Sequence, residues 1–280
     1  MTFGPAFRAV LGIALLTAMD AVVKAQMQAH PFIVTLFMRF AMGGLCALVV
    51  LALVRPALPT RDSLIGNTVR IPVVIMTAGS FFYSLSVLPL AEALTLSFLA
   101  PVFVALLGAL LLKEKLDSRI LQALSFGVAG MLVMVLPRLQ GHVSGDVLGV
   151  AAALFSAVAY AFNLILLRRI ALKEHPAVIV AFQALGPALV LAIPAAFVFV
   201  PMSAGDLGAY LAAGALGVAG HLTLTSAFAR AAASRLAPIE YTALIWASLL
   251  GYVFFGEVPL FTTYAGAVLI VAGAIAVSRR

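Results

Sequence analysis

The chain has 280 residues, of which 64% are apolar and 10% are charged, and its mean hydropathy is +1.19. A soluble domain carries about 45–50% apolar and about 25% charged residues, so this composition excludes an ordinary globular protein. In a soluble protein a pI near 10.0 would suggest nucleic-acid binding. Here the charges lie in short loops between apolar stretches, which argues against nucleic-acid binding. The single cysteine, Cys46, excludes an intramolecular disulfide and a thiolate metal cluster.

Apolar stretches of membrane-spanning length follow one another along the chain. At roughly 20 residues per span, they predict an all-α membrane protein with ten transmembrane helices. The predicted spans are residues 6–27, 31–54, 70–88, 91–112, 119–137, 146–168, 176–199, 207–229, 236–255 and 260–278. Prolines mark several boundaries, as at His30-Pro31, Pro89 and His175-Pro176. Arg8 precedes an apolar run, as in a signal peptide, but no small-x-small cleavage site follows, so we predict that the first helix is retained.

The basic residues give the predicted orientation. When the N-terminus and every second loop are assigned to one side, that side holds fourteen of the 17 lysines and arginines. These fourteen are Arg8, Arg55, Arg61, Arg70, Lys113, Lys115, Arg119, Arg168, Arg169, Lys173, Arg230, Arg235, Arg279 and Arg280. The opposite side holds Arg138, while Lys24 and Arg39 lie inside predicted spans. The positive-inside rule therefore predicts a multi-pass protein of the cytoplasmic (inner) membrane, with both termini in the cytoplasm.

The two halves of the sequence repeat each other. Val10-Leu11-Gly12 recurs as Val147-Leu148-Gly149, and His30-Pro31 recurs as His175-Pro176. Glu114 and Gly130 recur as Glu257 and Gly273, at an offset of 143 residues. Five helices per half is an odd number, so the second copy must be inverted in the membrane. We predict two inverted five-helix repeats, residues 1–140 and 141–280, an architecture that recurs in secondary transporters.

These features resemble the drug/metabolite transporter superfamily, in its EamA-type ten-helix branch. The residues that carry the resemblance are Pro101, Glu114 and Gly130 in the first half and Gly256-Glu257, Gly266 and Gly273 in the second. Two positions depart from the family pattern: Lys113 replaces a glycine, and Leu244 stands where Pro101 would map. Within the superfamily the sequence most resembles the aromatic amino-acid exporters of the YddG type. The resemblance implies a cavity surrounded by helices one, three, four, six, eight and nine.

Polar residues recur on single faces of these same helices, where they are costly in a bilayer and so mark a substrate path. The predicted substrate-binding residues are Thr17, Asp20, Lys24, Ser80, Tyr83, Ser84, Ser97, Phe98, Pro101, Tyr160, Asn163, His221, Thr225, Tyr241, Thr242 and Trp246.

Each of these residues also has a structural interpretation. Serine and threonine in membrane helices often bond back to the preceding turn. Asp20 and Lys24 either neutralise each other or bind the ammonium and carboxylate of a substrate. His221 is either a proton-coupled group or a neutral hydrogen-bonded residue, and Trp246 is a cavity wall or a lipid anchor. Arg39 needs either a partner or an aqueous route inside the membrane, and Glu92 is a candidate partner.

The sequence thus predicts a secondary transporter that exports small organic metabolites, with aromatic or other amino acids preferred. No cofactor is expected, because the glycine-rich stretches lie within apolar helices and none continues into a phosphate-binding loop. The four histidines suggest no metal site. The expected partners are a small-molecule substrate and the lipid bilayer, with no preference for an oligomeric state. An intramembrane enzyme, a channel and an exporter of other metabolites or drugs are the alternatives.

Overall fold

The computed structural model describes residues 4–112, 118–139, 147–171, 174–228 and 241–278. These residues form α-helices joined by short connections, and they contain no strand. The helices are α1 Pro5–Ala29, α2 Phe32–Val54, α3 Arg61–Val87, α4 Leu90–Ser97, α5 Ala100–Leu112, α6 Ser118–Leu139, α7 Val147–Ala171, α8 Pro176–Phe197, α9 Ala204–Phe228, α10 Ala243–Phe255 and α11 Phe261–Ser278.

Six of these helices are long and apolar enough to cross a membrane: α1, α2, α3, α7, α8 and α9. Four further apolar stretches are shorter, Leu90–Val104, Ser125–Met134, Ala243–Phe255 and Phe261–Gly273. The predicted fourth span, residues 91–112, is divided between α4 and α5 by a turn at Phe98 and Leu99. The total of ten spans stays a prediction.

Local sequence accounts for the ends of the helices. Thr60 caps α3 by accepting a hydrogen bond from the Ser63 amide at 3.3 Å, and the His175 ring accepts one from the Ala177 amide at 3.2 Å at the start of α8. Pro89 caps α4, where its missing N–H costs nothing. Gly256 ends α10 with φ +64°, a conformation that favours glycine.

The main helix–helix contacts lie between the two halves of the chain. The most extensive contacts join α1 to α9, α3 to α7, α2 to α8 and α6 to α11, so each pair takes one helix from each half. In α6 and α11 the backbones meet at Gly130 and Gly266, where a methyl group added to Gly130 would lie 2.6 Å from the carbonyl oxygen of Gly266. Small residues allow such close approach between membrane helices.

Candidate functional site

A helix break lies where the predicted site is densest. The Phe98 amide donates to Thr95 O at 3.1 Å and the Leu99 amide to Leu96 O at 3.2 Å, so the last turn of α4 tightens and the helix stops. Pro101 follows in the first turn of α5. A proline disfavours helical backbone at the residue before it and cannot donate a helical hydrogen bond, which explains a break at this point. Discontinuous helices of this kind form substrate sites in transporters.

A second backbone turn meets this break. Tyr241 and Thr242 form a turn before α10, with the Leu244 amide donating to Tyr241 O at 3.2 Å. The rings of Phe98 and Tyr241 meet edge to face, with centroids 5.2 Å apart and planes at 84°. The two residues are 143 positions apart in sequence, the same offset that relates Glu114 to Glu257. The structure therefore brings together two positions that the predicted repeat would make equivalent.

Two more predicted aromatic residues occupy the helix bundle. Trp246 is partly buried in α10 and packs against the main hydrophobic core. Its indole Nε1 is buried and has no hydrogen-bond partner among the described residues, which is costly for a donor unless a ligand or water binds it. Tyr83 contacts Phe32, with ring centroids 6.3 Å apart.

Lys24 ties the end of α1 to residues of both halves. Its ammonium lies 2.6 Å from Oε1 of Glu257 and 2.5 Å from the carbonyl oxygen of Leu88. The other carboxylate oxygen of Glu257 accepts a hydrogen bond from the Leu90 amide at 2.7 Å. The Phe255 ring adds a cation–π contact at 5.3 Å. We call these contacts the Lys24 tie. The interpretation that Lys24 and Asp20 neutralise each other is wrong, because Glu257 and Leu88 supply closer acceptors for the ammonium.

Asp20 lies one turn before Lys24 and is buried. Arg39, also buried, is the charged side chain that acts on Asp20, and it donates to the sulfur of Met19 at 3.0 Å. Its Nε has no partner among the described residues. Glu92, the expected partner of Arg39, instead acts electrostatically on Lys24, so that pairing is corrected. His221 on α9 is also within the electrostatic reach of Arg39.

A second polar cluster joins α3 to α7. Arg70 donates to Asn163 Oδ1 at 3.0 Å and to Asn67 Oδ1 at 3.2 Å. Ser63 donates to Glu174, and Asn67 donates to the Ser63 carbonyl at 3.0 Å. We call this cluster the Arg70 network. It lies near the start of α3, whereas the Lys24 tie includes Leu88 just after its end, so roughly 27 Å of helix separates them.

The Arg70 network was missed by the sequence interpretation, which placed Arg70 among the loop charges. The available signal was an arginine surrounded by apolar residues ten positions into a long helix. Asn163, predicted to bind substrate, is buried, and its carbonyl oxygen is occupied by Arg70.

Four hydroxyl groups of the predicted site bond to their own helices. Thr17 donates to Ile13 O at 2.9 Å, and Ser80 donates to Met76 O at 2.6 Å. Ser84 donates to Phe81 O at 2.6 Å, and Ser97 donates to Ala93 O at 3.0 Å. Such bonds are typical of hydroxyl groups with a structural role in membrane helices. Because the hydroxyl hydrogen is used, each oxygen can only accept a further hydrogen bond.

For the remaining predicted residues the structure gives the helix position or the burial. Tyr160 is 44% exposed on α7, and His221 is partly buried on α9. Pro101 and Thr225 lie in α5 and α9, and their side chains are outside the described part of the structure. Glu114, Arg230 and Arg235 are outside it altogether. Among the described residues no group of three or more His, Cys, Asp or Glu side chains is arranged to hold a metal ion.

A groove of about 560 Å³ lies between α2, α3 and α8, away from the predicted site. Its lining is mostly apolar and includes Leu51, Ile71, Phe182 and Leu185, with Arg55 at one edge. None of the predicted substrate-binding residues lines it, so we do not assign substrate to this groove.

Long apolar helices with polar side chains buried between them define a multi-pass membrane protein. The profile of the EamA-like transporter family matches residues 6–136 and again residues 147–279. The chain therefore belongs to the EamA-like transporter family, and it is a transporter rather than an enzyme.

Relatives of known activity are similar over most of the chain. The pseudopaline exporter CntI of Pseudomonas aeruginosa is 31% identical over 274 residues, which cover 97% of this chain and 94% of that protein. The S-adenosylmethionine uptake transporter of Rickettsia prowazekii is 26% identical over 192 residues, 69% of this chain and 64% of that one. A solved crystal structure with 22% identity matches 98% of this chain and 96% of its own with a TM-score of 0.64, which supports the fold.

Proposed function

We propose that the protein is a secondary transporter that exports small organic metabolites by alternating access, with aromatic or other amino acids as preferred substrates. The relative that is similar over nearly the whole chain is named as an exporter, which supports export. An uptake transporter is also among the similar proteins, so the direction of transport must be measured.

The observation that carries alternating access is the position of the two polar clusters. The Lys24 tie joins α1 and the start of α4 to Glu257, and the Arg70 network joins α3 to α7, so each links the two halves of the chain. They lie toward opposite ends of α3. Opening one cluster while the other stays closed would expose a central site to one side at a time. Because the loop charges put the N-terminus in the cytoplasm, we infer that the Lys24 tie closes the outer end.

The inverted-repeat organisation of residues 1–140 and 141–280 is part of this proposal. The family profile matches two segments that correspond closely to these halves. The pairing of α1 with α9 is equivalent to that of α7 with α3 when the halves are exchanged, as a two-fold axis in the membrane plane requires. The contact of Phe98 with Tyr241 lies on such an axis, because equivalent residues meet there.

Aromatic residues at the centre support the choice of substrate. Phe98 and Tyr241 pack against each other at the helix break, and the unpartnered Nε1 of Trp246 offers a donor. An aromatic side chain would stack on such a wall, while the few polar groups would bind the amino-acid head group. Other metabolites and drugs with a planar apolar part fit the same chemistry, and they belong in the assay.

The test is transport into proteoliposomes. Labelled phenylalanine, labelled threonine and a panel of metabolites are supplied with and without a pH gradient. We expect protein-dependent flux of phenylalanine that falls in Phe98→Ala and Tyr241→Ala. Leu189→Ala is the matched control, since Leu189 is 75% exposed on the surface of α8. Flux of other metabolites without any amino acid would refute the substrate class, and no flux for any compound would refute transport of these substrates altogether.

A further inference from the structure

The groove between α2, α3 and α8 has a charged side chain at one end and apolar walls along the rest. Its volume of about 560 Å³ lies within the range of about 300–1,000 Å³ that is typical of ligand pockets. Arg55 supplies its positive charge, and the lining residues in the described part of the chain include no aspartate or glutamate. The groove therefore suits a ligand with an anionic head and an apolar body.

The cationic end of the groove has unused hydrogen-bond donors. Arg55 ends α2 in a left-handed conformation with φ +49°, and its Nε donates to the Ala52 carbonyl oxygen at 3.4 Å. Its two Nη groups have no partner among the described residues. The amides of Ala57 and Leu58, in the loop that follows, have no acceptor there either. A phosphate group suits such a set, because a guanidinium and backbone N–H groups both donate to its oxygens.

The direction of the helices shows which part of α8 lies beside Arg55. Gly44 of α2 lies against Leu185 of α8. Ala47, about one turn later in α2, belongs to the same buried cluster as Ala181, one turn earlier in α8. The two helices are therefore antiparallel, and Arg55 lies near the start of α8.

The apolar walls extend from this end over about the depth of one leaflet. The lining in α8 runs from Val178 to Leu189, a stretch of helix that rises about 17 Å. Half of a hydrocarbon core of about 30 Å is about 15 Å, so an acyl chain that starts at Arg55 would reach the far end of the groove. Leu58 is 92% exposed and Leu189 is 75% exposed, so both ends are accessible from outside the helix bundle.

We propose that this groove binds one anionic diacyl phospholipid of the cytoplasmic leaflet, with its phosphate at Arg55 and an acyl chain along the apolar walls. The loop charges assign this end of α2 to the cytoplasmic side, where basic residues attract anionic lipids. Glu174, just before α8, is occupied by the Ser63 hydroxyl and the His175 amide, and it makes no ion pair with Arg55. The lipid contacts α2 and α3 of the first half and α8 of the second, and so joins the two halves.

The test titrates the purified full chain with lipid. The protein in detergent is stripped of bound lipid and followed by native mass spectrometry as dioleoyl phosphatidylglycerol, dioleoyl phosphatidylcholine or inorganic phosphate is added. We expect one phosphatidylglycerol molecule to bind about fivefold more tightly than phosphatidylcholine, because its net negative charge is attracted by arginine. Inorganic phosphate in large excess should not displace it, since burial of the acyl chain contributes to binding.

Three variants locate the lipid. Arg55→Gln should weaken phosphatidylglycerol binding by at least about tenfold and remove the preference over phosphatidylcholine. Thr68→Trp should weaken binding with Arg55 intact, because Thr68 is exposed on α3 and a larger side chain there fills the groove. Arg61→Gln is the matched control and should bind as the parent does, since Arg61 is exposed at the start of α3 and does not line the groove.

Four results would overturn this proposal. They are equal binding of the two lipids, displacement of the lipid by inorganic phosphate, full binding in Thr68→Trp, and equal effects of Arg55→Gln and Arg61→Gln. The last of these would mean that the basic surface attracts lipid without a defined site. Lipid binding is measured without any transport substrate, so failure here is distinct from failure of the proposed function.

Discussion

The substitution Lys24→Met removes the cation that holds the outer end together while keeping an apolar side chain of similar length. In the structure the ammonium has two short contacts, 2.6 Å to Glu257 and 2.5 Å to Leu88 O, and its side chain is 5% exposed. Hydrogen bonds that involve a charged group contribute about 1.5–3 kcal/mol each. Glu257 keeps the Leu90 amide as a donor, which offsets part of the loss. We expect the closed state to lose about 2–3 kcal/mol, or roughly 30–150-fold in the open-to-closed ratio.

The assay is thiol labelling from the outside. Ser97→Cys is introduced together with Cys46→Ser, because Ser97 is partly buried at the helix break and cysteine is close to it in size. A membrane-impermeant reagent then labels position 97 at a rate proportional to the fraction of open molecules. Lys24→Met should raise this rate by roughly 30–150-fold, following the same energies. Lys24→Arg retains the cation and should leave the rate near that of the parent.

Exchange of the two charges gives a sharper control. In K24E/E257K the ion pair is present again, but residue 24 now directs a carboxylate at Leu88 O and residue 257 directs an ammonium at the Leu90 amide. These backbone groups repel the exchanged charges, so we expect labelling to stay fast. An unchanged rate in Lys24→Met would refute the role of this tie in closing the outer end. Full recovery in the exchanged protein would show that the backbone contacts contribute nothing.

Three further predictions concern packing, the Arg70 network and the aromatic centre. Gly130→Val should lower the free energy of unfolding in detergent by at least about 1–3 kcal/mol, because the valine side chain would clash with the backbone of the neighbouring helix. Gly208→Ala has open space around the added methyl group and should leave this free energy unchanged. Asn163→Leu should cost about 1–3 kcal/mol in the same measurement, since it leaves a buried arginine donor unpaired; unchanged stability would contradict this. Trp246→Ala and Tyr83→Ala should reduce transport more than expression, and full flux in both would show that the cavity wall lies elsewhere.

Much of the fold followed from one-dimensional patterns. The length and apolarity of α1, α2, α3, α7, α8 and α9 were readable from sequence because each helix satisfies its own backbone hydrogen bonds. The helix break at Phe98 was not predicted, although Pro101 three residues later was an available signal.

The candidate site divides in the same way. Polar residues inside apolar helices could be identified from sequence, because their cost in lipid makes them rare. Their partners could not. Lys24 had Asp20 one turn away, yet it pairs with Glu257, which lies 233 positions further along the chain. Arg70 looked like a loop charge until α7 supplied Asn163.

The amino-acid sequence by itself determined that this protein lies in a membrane and belongs to a transporter family, since apolar length and a repeated pattern are properties of the chain alone. Only the tertiary structure decided which charges meet. The reason is physical, because the packing of helices from both halves determines which groups contact a buried charge. When another helix places an acceptor closer to that charge, the charge pairs with it rather than with a neighbour on its own helix.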